Sequence, residues 1–515
     1  MKATLRKNLV FWLTLLVLAI FFFTAASGME TQDWVITLLR GLSVGSVTFL
    51  VASGFSLIFG LLDVLNLAHG TLFMIGAYIA WTVYVRPDTF VDLLAPVLLI
   101  SSGFTLSSVW IRLAKKIRIT GGLSRLLPWL GLLLSAIIVS YIFPRYPITI
   151  WDVGNYAQSP VTYSFMADQG LIQLPPPKAF EAISPVAAAL GLVLASMLAA
   201  FSLSLFGRAT RSAPKLKWQN FAGFAVVFVF GMTVLFANDS LTAFLVGLDS
   251  TWLFIIALLV ASLSGVLLGG LMESSLIRPL YIRPIYQLML TLGLSAIGIE
   301  VVRAIWGRPE FVMPKPSIFS GTGEGCPADS LAGWFQHHCS TIFLFDGRVR
   351  VYNEIFVPIV GILVLISVWI LLQRSRLGMI IRAGVQDREM VEALGINVRR
   401  IFTLVFALGV GLAALGGALA APSMGLSNVM GESLLLNALI ALAIGGLTSY
   451  PGAALGSLLV GLLQQFIIKY GSIGILIPFT DIVFKPTPPL VPASTVLLMV
   501  IILLILPNGL LGRRE

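Results

Sequence analysis

The chain has 515 residues, of which 58% are hydrophobic and only 11% are charged. Soluble domains carry roughly 25% charged residues, so this composition excludes an ordinary soluble protein. Apolar runs of about 20 residues follow one another along most of the chain, and each is long enough to cross a membrane as a helix. The net charge of +10 is typical of basic cytoplasmic loops and does not indicate nucleic-acid binding.

The continuous apolar runs predict an all-α fold, a polytopic transmembrane helical bundle with about 14 membrane segments and both termini in the cytoplasm. The first run, 8–27, follows Lys2, Arg6 and Lys7, a pattern shared by cleavable signal peptides and first transmembrane helices. Insertion needs no cleaved signal, which favours the uncleaved helix. The other runs lie at 34–60, 66–85, 92–111, 126–143, 183–206, 220–237, 252–271, 286–306, 355–372, 401–421, 434–447, 452–470 and 492–507.

Small residues recur four positions apart within the apolar runs, at Gly41 and Gly45 and again at Gly452 and Gly456. Such pairs allow two helix backbones to approach closely in lipid. Helix packing is the favoured interpretation, and faces that slide during a conformational cycle are the alternative.

Three polar residues, Asp63, Asn66 and His69, interrupt the apolar sequence where the second run ends and the third begins. Polar groups at membrane depth are costly and usually face a protein interior or a water-filled path. If the segment is helical, Asn66 and His69 share one face, because they are three residues apart. A cytoplasmic turn between two spans explains the residues equally well.

Basic residues concentrate in the loops 112–125, 207–219, 272–285 and 373–400 and in the Arg513-Arg514 tail. Arginine and lysine accumulate on the cytoplasmic side of membrane proteins. If the N-terminus is inside, the order of the apolar runs places all five clusters on that side. The opposite loops, including 144–182 and 307–354, are longer and less basic.

The loop 307–354 contains both cysteines of the chain, Cys326 and Cys339. Outside the cytoplasm a disulfide is permitted, and a disulfide and two free thiols are about equally compatible with the sequence. The neighbouring His337 and His338 suggest a metal site, but the spacing matches no standard zinc pattern. We therefore predict no metal site.

Two further pairs of polar residues lie near the ends of apolar runs. Glu300 and Arg303 are three residues apart and are predicted to form an ion pair. Glu432 and Asn437 border the short run 434–447, which we interpret as a partial or broken helix beside a pathway. Glu432 and Asn437 are accordingly pathway candidates.

The segment from Gln373 to Arg400 is the most highly charged part of the chain. It can neither cross a bilayer nor build a core, which favours a surface for a partner. Residues 382–395 are predicted to form a short amphipathic helix, with Met390, Val391 and Leu394 on one face and Gly395 as its C-terminal stop.

No Gly-x-x-x-x-Gly-Lys-Ser/Thr, HExxH or CxxC motif is present, so we predict no catalytic residue and no cofactor in this chain. A membrane enzyme or assembly factor is therefore disfavoured. An ion- or proton-coupled carrier acting alone is the main alternative, and it needs titratable groups at mid-membrane. Glu300 and Glu432 lie nearer the ends of their runs than the centres.

A series of short motifs occurs in a fixed order along the chain. They are Gly41-Leu-Ser-Val-Gly-Ser46, Val64-Leu-Asn-Leu-Ala-His-Gly70, Met74-Ile-Gly-Ala-Tyr78, Glu273 with Arg278-Pro279-Leu280, Leu290-Thr-Leu-Gly293, Trp306-Gly307, Leu377-Gly378, Arg382-Ala383, Ala393-Leu-Gly-Ile-Asn397, Gly445-Gly446, Pro451-Gly452-Ala453 and Pro507-Asn508-Gly509-Leu510. Together they resemble the permease subunits of ATP-binding-cassette (ABC) importers for branched-chain amino acids and related amides. The resemblance covers about 34–86 and 250–515.

The resemblance divides the chain into four parts. Residues 1–33 are an extra N-terminal transmembrane helix or signal anchor, and 34–86 are the first part of the permease core. Residues 87–250 are an insertion with four extra spans. Residues 251–515 complete the core, with the outer loop 307–354 and the coupling loop 373–400.

The resemblance also implies partners and sites. It implies a subunit of the bacterial cytoplasmic (inner) membrane that works with ABC ATPase subunits, a second and usually different permease, and an extracytoplasmic solute-binding protein. The ATPase subunits bind the ATP, and Asn66 and His69 lie near the transport pathway. The residues implied to contact the ATPase are Arg382, Asp387, Glu389, Met390, Glu392, Ala393, Leu394 and Gly395. The substrate stays open among branched-chain amino acids, urea and other small polar or amide solutes.

Overall fold

The computed structural model describes residues 28–116, 123–142, 183–206, 218–281, 283–307, 310–386, 388–476 and 483–512, with short pieces at 12–14, 16–20, 23–24, 145, 166 and 170–171. Half of the first apolar run, the basic loop 207–217 and the Arg513-Arg514 tail lie outside the described residues.

The described part of the chain is mostly helical, as the apolar runs predict. The first ten helices are α1 (Thr31–Leu62), α2 (His69–Val85), α3 (Pro87–Thr105), α4 (Ser107–Lys116), α5 (Leu123–Ile142), α6 (Pro185–Phe206), α7 (Trp218–Phe236), α8 (Asn238–Val246), α9 (Ser250–Met272) and α10 (Pro284–Trp306). The others are α11 (Leu331–His337), α12 (Val357–Arg374), α13 (Arg376–Gln386), α14 (Arg388–Ala393), α15 (Val398–Met424), α16 (Met430–Gly445), α17 (Tyr450–Ile473) and α18 (Leu490–Ile505).

Two short hairpins correct the all-α prediction. Strand β1 (Thr341–Leu344) pairs antiparallel with β2 (Gly347–Arg350), and β3 (Ile475–Leu476) pairs with β4 (Val483–Phe484). The residues Phe345 and Asp346 that join β1 to β2 both have positive φ, which a tight two-residue hairpin turn requires. Both hairpins lie between apolar helices, where hydropathy alone does not predict a strand.

Within the described residues, eight helices are long and apolar enough to cross a membrane: α1, α3, α6, α9, α10, α12, α15 and α17. Helices α7 and α8 meet at a bend of 74° and make a ninth span if they are counted together. Four shorter apolar helices are α2, α16, α18 and the Leu126–Ile142 part of α5. The chain is thus a multi-pass helical protein, whereas the total of 14 spans and the cytoplasmic location of both termini stay predictions.

Two compact units make up the chain. The first contains Met1–Trp81, Asp249–Arg303 and Arg308–Glu515, and the second contains Thr82–Leu248 with Ala304–Gly307. The core of the second unit is built from α3, α5, α6 and α7, around side chains such as Leu99 and Leu192.

Small residues bring helices of the first unit into backbone contact. A Cβ on Gly41 would lie 2.9 Å from Cα of Leu462, and one on Gly45 would lie 3.0 Å from the Ser457 carbonyl oxygen, so α1 and α17 approach closely. This confirms the packing role predicted for the small-residue pair. Residues 41–45 also fit the Gly-x-Ser-x-Gly pattern of serine hydrolases, but they lie inside an uninterrupted helix and not at a strand-to-helix turn.

Helix α9 does not end abruptly. It continues as a π-helix over Glu273–Ile277 and then as a 3-10 turn over Arg278–Leu280. The backbone N–H of Arg278 donates to the carbonyl oxygen of Glu273, which is the i to i+5 bond of a π turn.

Candidate functional site

The coupling loop forms two short helices, α13 and α14, and not one helix over 382–395. The prediction of a start at Arg382 is wrong, because Ser375 caps an earlier start: its hydroxyl oxygen accepts from the backbone N–H of Gly378 at 3.0 Å. Serine is a favoured N-cap residue, and this signal is visible in the sequence. Arg376 is the first residue of α13.

Gly395 ends α14 as predicted. Its φ is +80°, and the N–H of Ile396 donates to the carbonyl oxygen of Val391. A glycine in the left-handed conformation with this bond is a common helix C-terminus. Asp387 lies outside the described residues, and so does the side chain of Glu389.

The outer face of α14 carries apolar side chains that are largely exposed. Met390 is 64% exposed and Leu394 is 74% exposed, whereas Val391 is only 4% exposed. The prediction that Val391 shares their face is therefore wrong, because its side chain turns into the cluster with Val398 and Phe402. Glu392 is also exposed, and Arg382 donates to the side-chain oxygen of Gln373 at 3.0 Å. Exposed apolar groups within a charged segment are typical of a protein-binding surface.

The inner face of the same segment is anchored. Val391, Val398 and Phe402 form a buried cluster that joins α14 to α15. The partly buried side chains packed against this cluster are Leu62, Tyr281, Ile380, Ala383 and Ile396. The segment is therefore held on the first unit while Met390 and Leu394 stay accessible.

Asn66 and His69 are both fully buried, but they do not share a helix face. Helix α2 begins at His69, and Asn66 lies before it at the start of a turn, where its carbonyl oxygen accepts from the N–H of His69 at 3.2 Å. The i, i+3 prediction is wrong because the segment after Asp63 leaves the helical conformation. His69 Nε2 lies 3.1 Å from the Val51 carbonyl oxygen of α1.

Several polar atoms in this segment lack hydrogen-bond partners among the described residues. They are both amide atoms of Asn66 and Nδ1 of His69. A buried polar group without a partner costs about 1–3 kcal/mol, so its presence needs a reason beyond packing. Polar groups inside a membrane protein usually mark a pathway.

The other two pathway candidates lie on α16, whose first turn meets the start of α2. Gly70 and Gly431 touch through their backbones, and neither leaves room for a Cβ atom. Glu432 follows in the first turn of α16 and is exposed, while Asn437 accepts from the side-chain amide of Gln464 at 3.3 Å. Both residues lie in one continuous helix of 16 residues, which is not broken but is shorter than the full spans, in agreement with a partial helix. The tertiary structure brings the beginnings of two short apolar helices together, as in transporters with discontinuous helices.

The loop 307–354 contains a disulfide between Cys326 and Cys339. His337 and His338 are exposed, and no group of three possible metal ligands occurs in the described part of the chain. The predicted ion pair between Glu300 and Arg303 is confirmed at 2.6 Å.

Sequence reasoning missed one buried charge altogether. Glu354 is 2% exposed and pairs with Arg40 of α1, although the two are 314 positions apart. In the sequence, only the presence of an acidic residue beside an apolar stretch indicates that its side chain needs a charged partner, and it does not indicate which residue that partner is.

The family model described as "Branched-chain amino acid transport system / permease component" matches residues 218–506, which is more than half of the chain. The chain belongs to this family. This result confirms the resemblance seen in the motifs, and it makes the chain a transport permease of the membrane. Several motifs, such as Asn66 to Gly70, lie outside the matched range.

Three relatives of this permease are high-affinity branched-chain amino acid transport system permease proteins. LivH of Escherichia coli K12 is 28% identical over 228 residues, which are 43% of this chain and 64% of LivH. BraD of Pseudomonas aeruginosa is 33% identical over 171 residues, 33% of this chain and 51% of BraD. LivH of Salmonella typhimurium is 27% identical over 277 residues, 53% of this chain and 79% of that protein.

The permease thus spans less than two thirds of the length of the first two of these relatives. No solved structure matches it significantly.

Proposed function

We propose that this permease is the membrane subunit of an ATP-driven ABC importer for branched-chain amino acids or related small polar or amide solutes. Separate ATPase subunits bind the ATP and move the permease through the loop 373–400. The proposal rests mainly on the geometry of α14, where exposed Met390 and Leu394 lie on a charged segment anchored beneath by Val391. The names of the relatives support the solute class.

The remaining partners follow from the same proposal. The permease pairs with a second, different permease, and an extracytoplasmic solute-binding protein delivers the solute. The distribution of basic residues supports a bacterial inner-membrane protein whose loop 373–400 and both termini lie in the cytoplasm. Residues 87–250 form an insertion of extra spans into the core, which agrees with the separate compact unit Thr82–Leu248.

The coupling residues are those on α13 and α14, namely Arg382, Asp387, Glu389, Met390, Glu392, Ala393, Leu394 and Gly395. Asn66, His69, Glu432 and Asn437 line the pathway when the permease changes state. Their support is the buried, unpaired polar segment at the start of α2 and its contact with the start of α16.

Reconstitution in liposomes tests the function. The permease, its second permease and the ATPases encoded beside it are expected to import solute only with ATP and binding protein. Arg382→Glu and Glu392→Arg are expected to reduce uptake or the co-purification of the ATPases, whereas Glu300→Gln, in an exposed ion pair, serves as the control. Uptake by this chain alone, without ATP, would make it a secondary carrier and would overturn the proposal.

A further inference from the structure

A buried carboxylate lies where α9 passes into its π-helix. Glu273 is fully buried, and its two oxygens accept from Arg278, at 2.7 Å from Nη2 and 3.2 Å from Nε. The hydroxyl of Tyr281 donates to Oε1 of the same carboxylate at 2.7 Å. A charge buried this deeply is tolerated only when its partners are complete.

The ion pair depends on the π turn. Residues five apart lie on different sides of an α-helix, because each residue advances about 100°. The i to i+5 bond between Glu273 and Arg278 brings their side chains to the same side. A return of this segment to the α-helical register therefore separates the two charges, so the pair and the backbone register form one two-state element.

The same group of residues reaches α15. Arg278 Nη2 donates to the hydroxyl oxygen of Thr403 at 2.5 Å, and that hydroxyl donates to the Arg399 carbonyl oxygen at 2.9 Å. Near their middles, α9 and α15 also lie in close contact at small residues: a Cβ on Gly265 would lie 2.6 Å from Cβ of Ala414. The ion pair thus ties together the ends of two helices that already pack tightly.

Tyr281 also packs against the buried cluster that anchors the coupling loop. Its ring meets the ring of Phe402 edge-on, with centroids 6.1 Å apart. Both rings pack in the cluster that holds Val391 of α14 and Ala383 of α13. One side chain therefore touches the buried carboxylate at one end and the anchor of the coupling helices at the other.

We infer that Glu273, Arg278 and Tyr281 are positioning residues for coupling, which transmit displacement of α13 and α14 to α9 and α15 by making or breaking the ion pair at the π turn. The inference rests on the proposed function, because it needs an ATPase that moves the loop. In the state described here the pair is formed and the π turn is in place. Displacement of Val391 and Tyr281 removes the donor from Glu273 and releases the turn.

Variants of the complete importer in liposomes test this relay. Tyr281→Phe keeps the ring and removes only the hydroxyl that donates to Glu273. Thr403→Val keeps the side-chain shape and removes the hydroxyl that accepts from Arg278. Arg278→Lys keeps the positive charge but loses the bidentate contact with the carboxylate. Each is expected to lower the solute imported per ATP hydrolysed by roughly tenfold, the scale of a hydrogen bond to a charged group. Basal ATP hydrolysis and co-purification of the ATPases are expected to stay unchanged.

Glu300→Gln is the matched control, since it also removes an ion pair, but an exposed one on α10. It is expected to leave the uptake per ATP unchanged. If Tyr281→Phe and Thr403→Val import as much solute per ATP as the wild type, the relay is overturned. Equal losses of uptake, ATP hydrolysis and assembled complex would also overturn it, because they indicate a merely structural role. If the wild-type importer shows no ATP-dependent uptake, the proposed function fails, whereas coupled wild-type uptake with unaffected variants overturns only the relay.

Discussion

Arg40 and Glu354 form an ion pair of 2.8 Å that ties the third turn of α1 to the π-helical turn before α12. The second oxygen of Glu354 accepts from the backbone N–H of Arg350 at 2.7 Å. Because Arg40 is 46% exposed while Glu354 is 2% exposed, the carboxylate carries the desolvation and the arginine offsets it. The pair fixes the last residue of the β1–β2 hairpin against a helix that precedes it by about 300 residues in the chain.

The first prediction concerns this pair. Arg40→Ala is expected to lower the free energy of unfolding by about 1–3 kcal/mol, because it leaves a buried carboxylate with only the backbone bond. Arg40→Lys is expected to lose less, since the charge remains. Thermal unfolding of purified protein in detergent measures both, with Glu300→Gln as the control. A loss after Arg40→Ala no greater than that of the control would show that the pair contributes nothing.

The second prediction separates the two faces of α14. Met390→Ser and Leu394→Ser are expected to weaken ATPase binding roughly tenfold or more, as expected for exposed apolar anchors at an interface, without lowering the thermal stability of the permease. Val391→Ser is expected to lower that stability, because its side chain is buried. Leu331→Ser on α11, 67% exposed, is the control for loss of an exposed apolar side chain. The measurement is ATPase binding with detergent-solubilised subunits. Unaltered binding of both Met390→Ser and Leu394→Ser would contradict an ATPase-binding role for the exposed face of α14.

The third prediction concerns the contact between α2 and α16. Gly70→Ala is expected to destabilise the permease by about 1–3 kcal/mol or more, because the added methyl meets the Gly431 backbone, which cannot rotate aside. Gly293→Ala on α10 is the matched control, since nothing lies within 4 Å of its added Cβ. That control is expected to be neutral or stabilising by about 0.5–1 kcal/mol. Equal unfolding temperatures for the two variants would argue against the close contact.

The fourth prediction concerns acid. Asp249 caps α9 by accepting from the Thr251 N–H at 2.8 Å, and this hydrogen bond, with others from Ser317 and Thr251, lowers the pKa of Asp249 below its ordinary 3.8. Because the pKa of Asp249 is lower in the folded state than in the unfolded state, its cap stabilises the fold fully above the ordinary pKa. This stabilisation is lost as pH falls through the folded-state pKa.

Asp249→Ala is accordingly expected to cost about 1 kcal/mol at neutral pH, the usual size of a helix cap. The difference between wild type and variant is expected to shrink as pH falls below 3.8 and through the lowered folded-state pKa, where the wild-type carboxylate becomes protonated. Asp249→Asn retains an oxygen for the cap and is expected to resemble wild type at neutral pH. Unfolding measured across this pH range tests the sign, and a difference that grows in acid would contradict it.

Much of the helical architecture was determined by the sequence alone. The run 34–60 became α1 and the run 183–206 became α6, because some twenty adjacent apolar residues satisfy their backbone hydrogen bonds only as a helix in lipid. The stop at Gly395 and the pair Glu300–Arg303 were also predictable, since both depend on residues within one or two turns. The family was visible for a similar reason, as its motifs are short and ordered along the chain.

The tertiary structure alone decided how distant residues combine. Arg40 finds Glu354, Gly70 meets Gly431, and Arg278 reaches Thr403 only after the helices pack, and no local periodicity records such partners. The π turn at Glu273 is likewise accompanied by contacts made only in the folded chain, since Glu273 pairs with Arg278 and Arg278 reaches Thr403 of α15. Hydropathy determines which segments are helices, whereas the pairing of buried charges and the close contacts of glycines depend on three-dimensional packing.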